Sequence, residues 1–224
     1  MLKFEDNCYP EKKLSEPQVP SSHTIYAVLG FLNEYIGRTI AQNGDLVEHF
    51  WVNETKKADI FEKYLMCLVD EYCLQTSVRR EMSEGHTYFL SAEITELINS
   101  FYLKHNLTGT DSNGNPAYTT GQGFFQQNTG RISADVFPSE DREAKLSYLI
   151  GVHQRYGEEN MFLFANAYHK AQLVYQLLQE LGSPSVVLVY ADPDRAPSPF
   201  RVAFEPTAEL IDRFCLRAFN NSTG

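Results

Sequence analysis

The chain has 224 residues, 43% of them hydrophobic and 21% charged, with a formal net charge of −10. The 15 Phe and 13 Tyr exclude a disordered chain and point to an aromatic core. The acidic charge shows no block of like sign. The basic pairs Lys12-Lys13, Lys56-Lys57 and Arg79-Arg80 are too short for a phosphate-binding stripe, which argues against direct nucleic-acid binding.

Residues 1–20 are polar and hold Pro10, Pro17 and Pro20, so they read as an irregular arm. Ser21 or Ser22 caps a helix whose apolar positions Ile25, Val28, Leu29, Leu32 and Ile36 fall at helical spacing, with Gly44 as a stop. Leu46, Val47, Phe50 and Trp51 form a short apolar cluster, expected as one or two helical turns. Asn53 caps the next helix, with Phe61, Tyr64, Leu65 and Leu68 in a wide buried stripe. Ser91 starts a third helix carrying Ile94, Leu97, Ile98 and Phe101 inward. Residues 106–137 hold five glycines and Pro116, and their turn signals Asn113-Gly114 and Asn128-Thr129-Gly130 predict a loop or a short β-meander.

Pro138-Ser139 restarts a helix with Leu146, Leu149, Ile150 and His153 on one face, stopped at Gly157. A strand at Met161–Phe164, a helix ending near Leu181-Gly182, and strands at Val186–Tyr190 and Phe200–Phe204 follow, then a last helix capped by Thr207. No sequence repeat or heptad run is present. The expected class is α+β. A predominantly helical N-terminal region, 21–105, precedes the 106–137 loop or meander and a smaller C-terminal βαββα segment within 138–224. The two regions form either separate units or one continuous core.

Three constellations carry chemistry. Asp192 and Asp194 follow a strand, where paired carboxylates hold Mg²⁺ or Mn²⁺ beside a substrate phosphate, although Asp-Pro-Asp is also ordinary turn chemistry. His169 lies opposite the apolar face of its helix with Asn166 three residues back, an arrangement for a general base or for a solvated histidine beside a helix cap. His153 continues an apolar stripe, as a hydrogen-bonded core histidine does, while Arg155 lies on another face and suits a carboxylate or phosphate. Standard P-loop, dinucleotide, zincin and hydrolase-elbow motifs are absent. Tyr118, Phe124 and Phe125, set among Gly, Gln, Asn and Thr, read as a recognition loop or as its anchors.

The four scattered cysteines have no metal-knuckle spacing, and the sequence shows neither a secretory signal nor a membrane span. The compartment expected is therefore the reducing cytoplasm, with no membrane partner. In size, acidity and motif poverty the chain resembles the small immunity proteins that neutralise bacterial toxins. That resemblance carries no motif and transfers no residue; it implies a non-enzymatic protein-binding protein, an inhibitor of a basic partner, with no cofactor, and the aromatic loop itself offers Tyr118, Phe124 and Phe125 as the partner contacts. The alternative is a metal-assisted enzyme acting on a phosphorylated small molecule. It uses Asp192 and Asp194 for Mg²⁺ or Mn²⁺, Arg155 for the phosphate, and His169, with His153 nearby, for proton transfer.

Overall fold

A computed structural model describes residues 23–34, 38–39, 44–106, 119–120, 123–124, 128–165, 167–190 and 199–216. The first half runs α1 (Thr24–Phe31), β1 (Arg38–Thr39), β2 (Leu46–Trp51), α2 (Thr55–Glu71), β3 (Arg79–Ser83), β4 (His86–Leu90) and α3 (Ala92–Asn99). Four short strands follow: β5 (Leu103–Asn106), β6 (Thr119–Thr120), β7 (Gly123–Phe124) and β8 (Asn128–Arg131). The second half runs α4 (Arg142–Tyr156), β9 (Gly157–Glu158), β10 (Met161–Ala165), α5 (Tyr168–Glu180), β11 (Val186–Tyr190), β12 (Pro199–Phe204) and α6 (Ala208–Arg213). The class is α+β, as the pattern predicts. Both halves follow one order, αββαββα, although no repeat is visible in the sequence.

The sheets repeat as well. In the first half the antiparallel order is β2-β4-β3, and in the second it is β9-β10-β12-β11. The pairing of β2 with β4 and of β4 with β3 thus matches that of β10 with β12 and of β12 with β11. β1 instead pairs with β8, which also takes β5.

The apolar cluster at Leu46–Trp51, expected as helical turns, is strand β2. A register shift between Leu46 and Glu48 interrupts its alternation, so Val47 and Phe50 both point inward three residues apart, at a spacing that mimics a helix. The β3–β4 hairpin turns on two residues, Glu84 (φ 49°) and Gly85 (φ 77°), both in the left-handed region that such a tight turn requires. Ser91 and Thr207 cap their helices as read, accepting from the backbone N–H groups of Ile94 and Leu210. Asp141 rather than Ser139 caps α4, through the Ala144 N–H.

The centre is the α1–α4 pair. Seven of the eight α1 residues are buried, and α4 buries residues around most of its girth, as a helix enclosed on all sides does. A Cβ placed on Gly30 would meet the Tyr148 carbonyl oxygen at 2.0 Å, and one on Gly151 would meet that of Ala27 at 2.0 Å. The contact is reciprocal, since each glycine faces the residue three before the other. Backbone touches backbone, which glycine alone permits. Around this axis one aromatic-rich core joins both halves, with Phe31, Phe50, Phe61 and Phe89 on one side and Phe162, Phe164, Phe204 and Phe214 on the other. Among the described residues no helix is long and apolar enough to cross a membrane.

Candidate functional site

A helix leaves its last carbonyls without intrahelical partners, and α1 ends inside the protein. Buried side chains close that end. The Lys170 Nζ donates to the carbonyls of Leu29 (3.1 Å) and Leu32 (2.7 Å) and lies 3.3 Å from Glu34 Oε1. Arg155 donates to the Phe31 and His49 carbonyls, each at 3.2 Å, and pairs with Glu48 at 3.1 Å, its guanidinium 4.3 Å from the Phe50 ring centroid. The Tyr156 hydroxyl donates to Leu32 O at 3.0 Å, and the Tyr102 hydroxyl donates to Glu34 at 2.8 Å. The end of α4 is closed in the same way by Lys57, whose Nζ donates to Arg155 O at 2.6 Å. Lys57 and Lys170 are each the third residue of their helix, α2 and α5, and so occupy matching places in the two halves.

Burial pushes the Lys170 ammonium down from its ordinary pKa, and Glu34 opposes that shift. Burial lifts the Tyr102 and Tyr148 phenols well above theirs, with Glu34 adding to both. Burial also works against the Arg155 charge, but Glu48 and the groups around it hold its pKa above the usual value. Two cations face two carboxylates in a closed, charge-paired interior.

The sheets present a different surface. The core takes one face of each, through Phe50 and Phe89 in the first and Phe162, Phe164, Phe200, Val202 and Phe204 in the second. The other faces are open to varying degrees. On the first sheet, register places Trp51 beside His86 and His49 beside Tyr88, and all four rings lie on the outer side. On the second, Met161 faces Ala203 and Val187 in one row, and Leu163 faces Arg201 and Val189 in the next.

Of the residues singled out from sequence, only His153, Arg155 and His169 have described side chains, and His153 and Arg155 point apart. His153 is half-buried at the edge of the core, stacked on Phe214 at 4.5 Å and edge-on to Phe162, with its Nε2 3.2 Å from Glu159 O. Arg155 points the other way, to Glu48 and the end of α1, so it does not share a pocket with His153 and its guanidinium is committed to protein groups. His169 is half-buried on the first turn of α5, its ring 5.5 Å from that of Tyr168. Asp192, Asp194, Asn166, Tyr118 and Phe125 lie outside the described residues. Phe124 is described only as backbone in β7. The buried pairing of Glu34 with Lys170 and of Glu48 with Arg155 was not legible, because lone charged residues in a sequence read as surface. Its one signal was Arg155 and Lys170 each next to apolar helix positions.

No family model matches the chain, and no curated protein is similar to it in sequence. Solved structures are similar in fold. Mesophilic variants of the homing endonuclease I-DmoI align with a TM-score of 0.54 at 9% identity, over 86% of this chain and 94% of theirs. I-DmoI in complex with DNA and Mn aligns at 0.52 and 10% identity, over 88% and 94%. The complex with DNA and Ca aligns at 0.51 and 11%, over 86% and 87%. The fold is that of these endonucleases.

This likeness corrects four expectations: an immunity-type inhibitor, a basic protein as its partner, no contact with nucleic acid, and no cofactor. These similar structures are of the homing endonuclease I-DmoI, two of them in complex with DNA and with Mn or Ca. Those expectations rested on net charge and on missing motifs, neither of which reports the fold. Glu34 and Glu48 do not fit a divalent ion as they stand, since each already faces a buried cation. Among the described residues no three His, Cys, Asp or Glu side chains converge.

Proposed function

We propose that this chain acts on nucleic acid, binding it across the outer faces of its sheets. One observation carries the reading. Over 86% of its length the chain takes the fold of an endonuclease, at a TM-score of 0.54, and one face of each main sheet is given to the core while side chains on the other, such as Trp51, Val187 and Val189, are exposed among the described residues. Side chains on a twisted antiparallel sheet stand at regular spacing and reach base edges or ring faces without rearranging the core. A reducing, cytoplasmic setting is part of the same proposal.

Divalent ions belong in any assay of this reading because the solved relatives in fold contain them. No cleavage step is routed through an ion here, given the pairing of Glu34 and Glu48 with Lys170 and Arg155. The test is fluorescence anisotropy with labelled duplex and single-stranded oligonucleotides, with and without Mg²⁺ or Mn²⁺, and with gel analysis of strand integrity. Saturable binding at micromolar affinity or better at moderate salt supports the reading. Absence of binding to every duplex and single strand tried, in both ionic conditions, overturns it.

A further inference from the structure

We infer that the outer face of the β2–β4–β3 sheet is a stacking platform for unpaired nucleobases, with Trp51 and His86 as its leading rings. The inference rests on the nucleic-acid reading above and narrows it to a substrate class.

The geometry comes from strand register. Trp51 and His86 are direct cross-strand partners, with ring centroids 4.0 Å apart. His49 and Tyr88 are the next such pair on that face, at 6.1 Å and nearly parallel. His86 ties the two pairs together, 5.6 Å from His49 and 5.8 Å from Tyr88. Four rings therefore form a continuous patch rather than scattered exposures. Trp51 is 57% exposed, an unusual state for a large aromatic side chain held on a regular strand.

The chemistry of the rings decides the ligand class. Indole, imidazole and phenol each offer a flat face for stacking and a polar edge for a hydrogen bond, which matches a base taken out of a duplex. An apolar protein surface would be met better by the aliphatic second sheet, where Val187 and Val189 are 49% and 45% exposed.

Charge decides between unpaired and paired strands. A duplex hides its base faces and shows phosphates, so duplex binding draws on Lys and Arg. On this sheet Arg79 is already paired with Asp45 at 2.9 Å and with Glu81 at 3.1 Å. A surface rich in rings and poor in free cations favours stacking on exposed bases, with a shallow dependence on salt.

The chain has one tryptophan, and it stands at the centre of the proposed contact, so its fluorescence reports directly. The experiment titrates the full chain with oligo(dT), oligo(U) and a length-matched duplex at two salt concentrations. It follows Trp51 emission together with the anisotropy of labelled strands, and repeats the anisotropy with Trp51→Ala and Trp51→Phe. Circular dichroism verifies that both variants fold. The expected result is quenching by single strands, affinity lowered about tenfold in Trp51→Ala and largely kept in Trp51→Phe, and a preference for single strands over the duplex. Tight duplex binding that leaves Trp51 emission and the Trp51→Ala affinity unchanged overturns the platform while sustaining the nucleic-acid reading. Failure to bind any oligonucleotide overturns both and leaves the face to a protein partner.

Discussion

The two halves of this molecule share one element order and one pattern of strand pairing, yet they finish the same positions differently. Lys57 and Lys170 match in place, and each donates to a carbonyl at the end of a central helix. Lys170 is fully enclosed and has Glu34 as counter-ion, whereas the Lys57 side chain is 40% exposed and pairs with Glu54. The outer sheet faces diverge in the same manner, aromatic with polar edges in the first half and aliphatic around Arg201 in the second. The lesson is that backbone architecture and core packing are held in common, while charge burial and surface chemistry are set separately in each half. Function should follow the features that differ.

The comparison is most easily broken at its axis. Gly30→Ala and Gly151→Ala each put a methyl group 2.0 Å from a backbone oxygen that cannot swing away. Each should lower stability by about 3 kcal/mol or more, at or beyond the upper end of ordinary overpacking. Urea denaturation should give closely similar losses for the two, because the contacts are reciprocal. A large loss from one and none from the other would show that the halves do not meet as described.

The lysines come next. Lys170→Met leaves Glu34 buried without its cation and should cost about 3–5 kcal/mol. The double substitution Lys170→Met, Glu34→Gln should recover a large part of that in a double-mutant cycle. Lys57→Met removes one half-exposed hydrogen bond and should cost only about 1 kcal/mol. Equal costs for the two lysines would erase the difference drawn between the halves.

His153 gives a smaller, pH-dependent effect. Burial lowers its pKa below the ordinary 6.5, and the hydrogen bond to the Glu159 carbonyl opposes that only in part. The unfolded chain therefore binds the proton more readily than the folded one. Stability is fully present above about pH 6.5 and falls as pH drops through that value toward the folded pKa. His153→Phe, which keeps the stack on Phe214, should flatten the stability profile between pH 7 and 5 as read by thermal melts. An unchanged slope would assign the dependence to other groups.

The smallest change expected is at Val189→Lys on the second sheet's outer face. A residue 45% exposed tolerates a charge within about 0.5 kcal/mol. A loss of several kcal/mol would mean that another part of the molecule covers this face.

Much of the fold is legible in the residues. The Ser91 and Thr207 caps, the helix stripes and the strand–helix–strand–strand run of the second half follow directly from spacing and turn chemistry. β2 does not, since its bulge replaces clean alternation with an apparent helical step at Val47 and Phe50. The β3 strand is also hidden: it lies at a sheet edge, and four of its five residues are exposed, so Arg79–Ser83 shows little apolar periodicity. The repeat is obscured because matched positions share geometry and not identity. Where Glu34 stands four residues past Gly30, Arg155 stands at the same distance past Gly151. The outer aromatic patch was within reach in principle, for Trp51, His86 and Tyr88 fall into one register once the strands are known. Without the strands they are three unrelated rings.

The central claim is that nucleic acid contacts the outer sheet faces of this endonuclease fold. Photo-crosslinking reads it directly. The full chain would be irradiated with 4-thiouridine-containing single strands and the modified peptides mapped by mass spectrometry. Crosslinks are expected to concentrate on the peptides carrying Trp51 and Tyr88 and to be competed away by unlabelled single strand. Crosslinks confined to the helices that cover the opposite face, or none at saturating oligonucleotide, would contradict it.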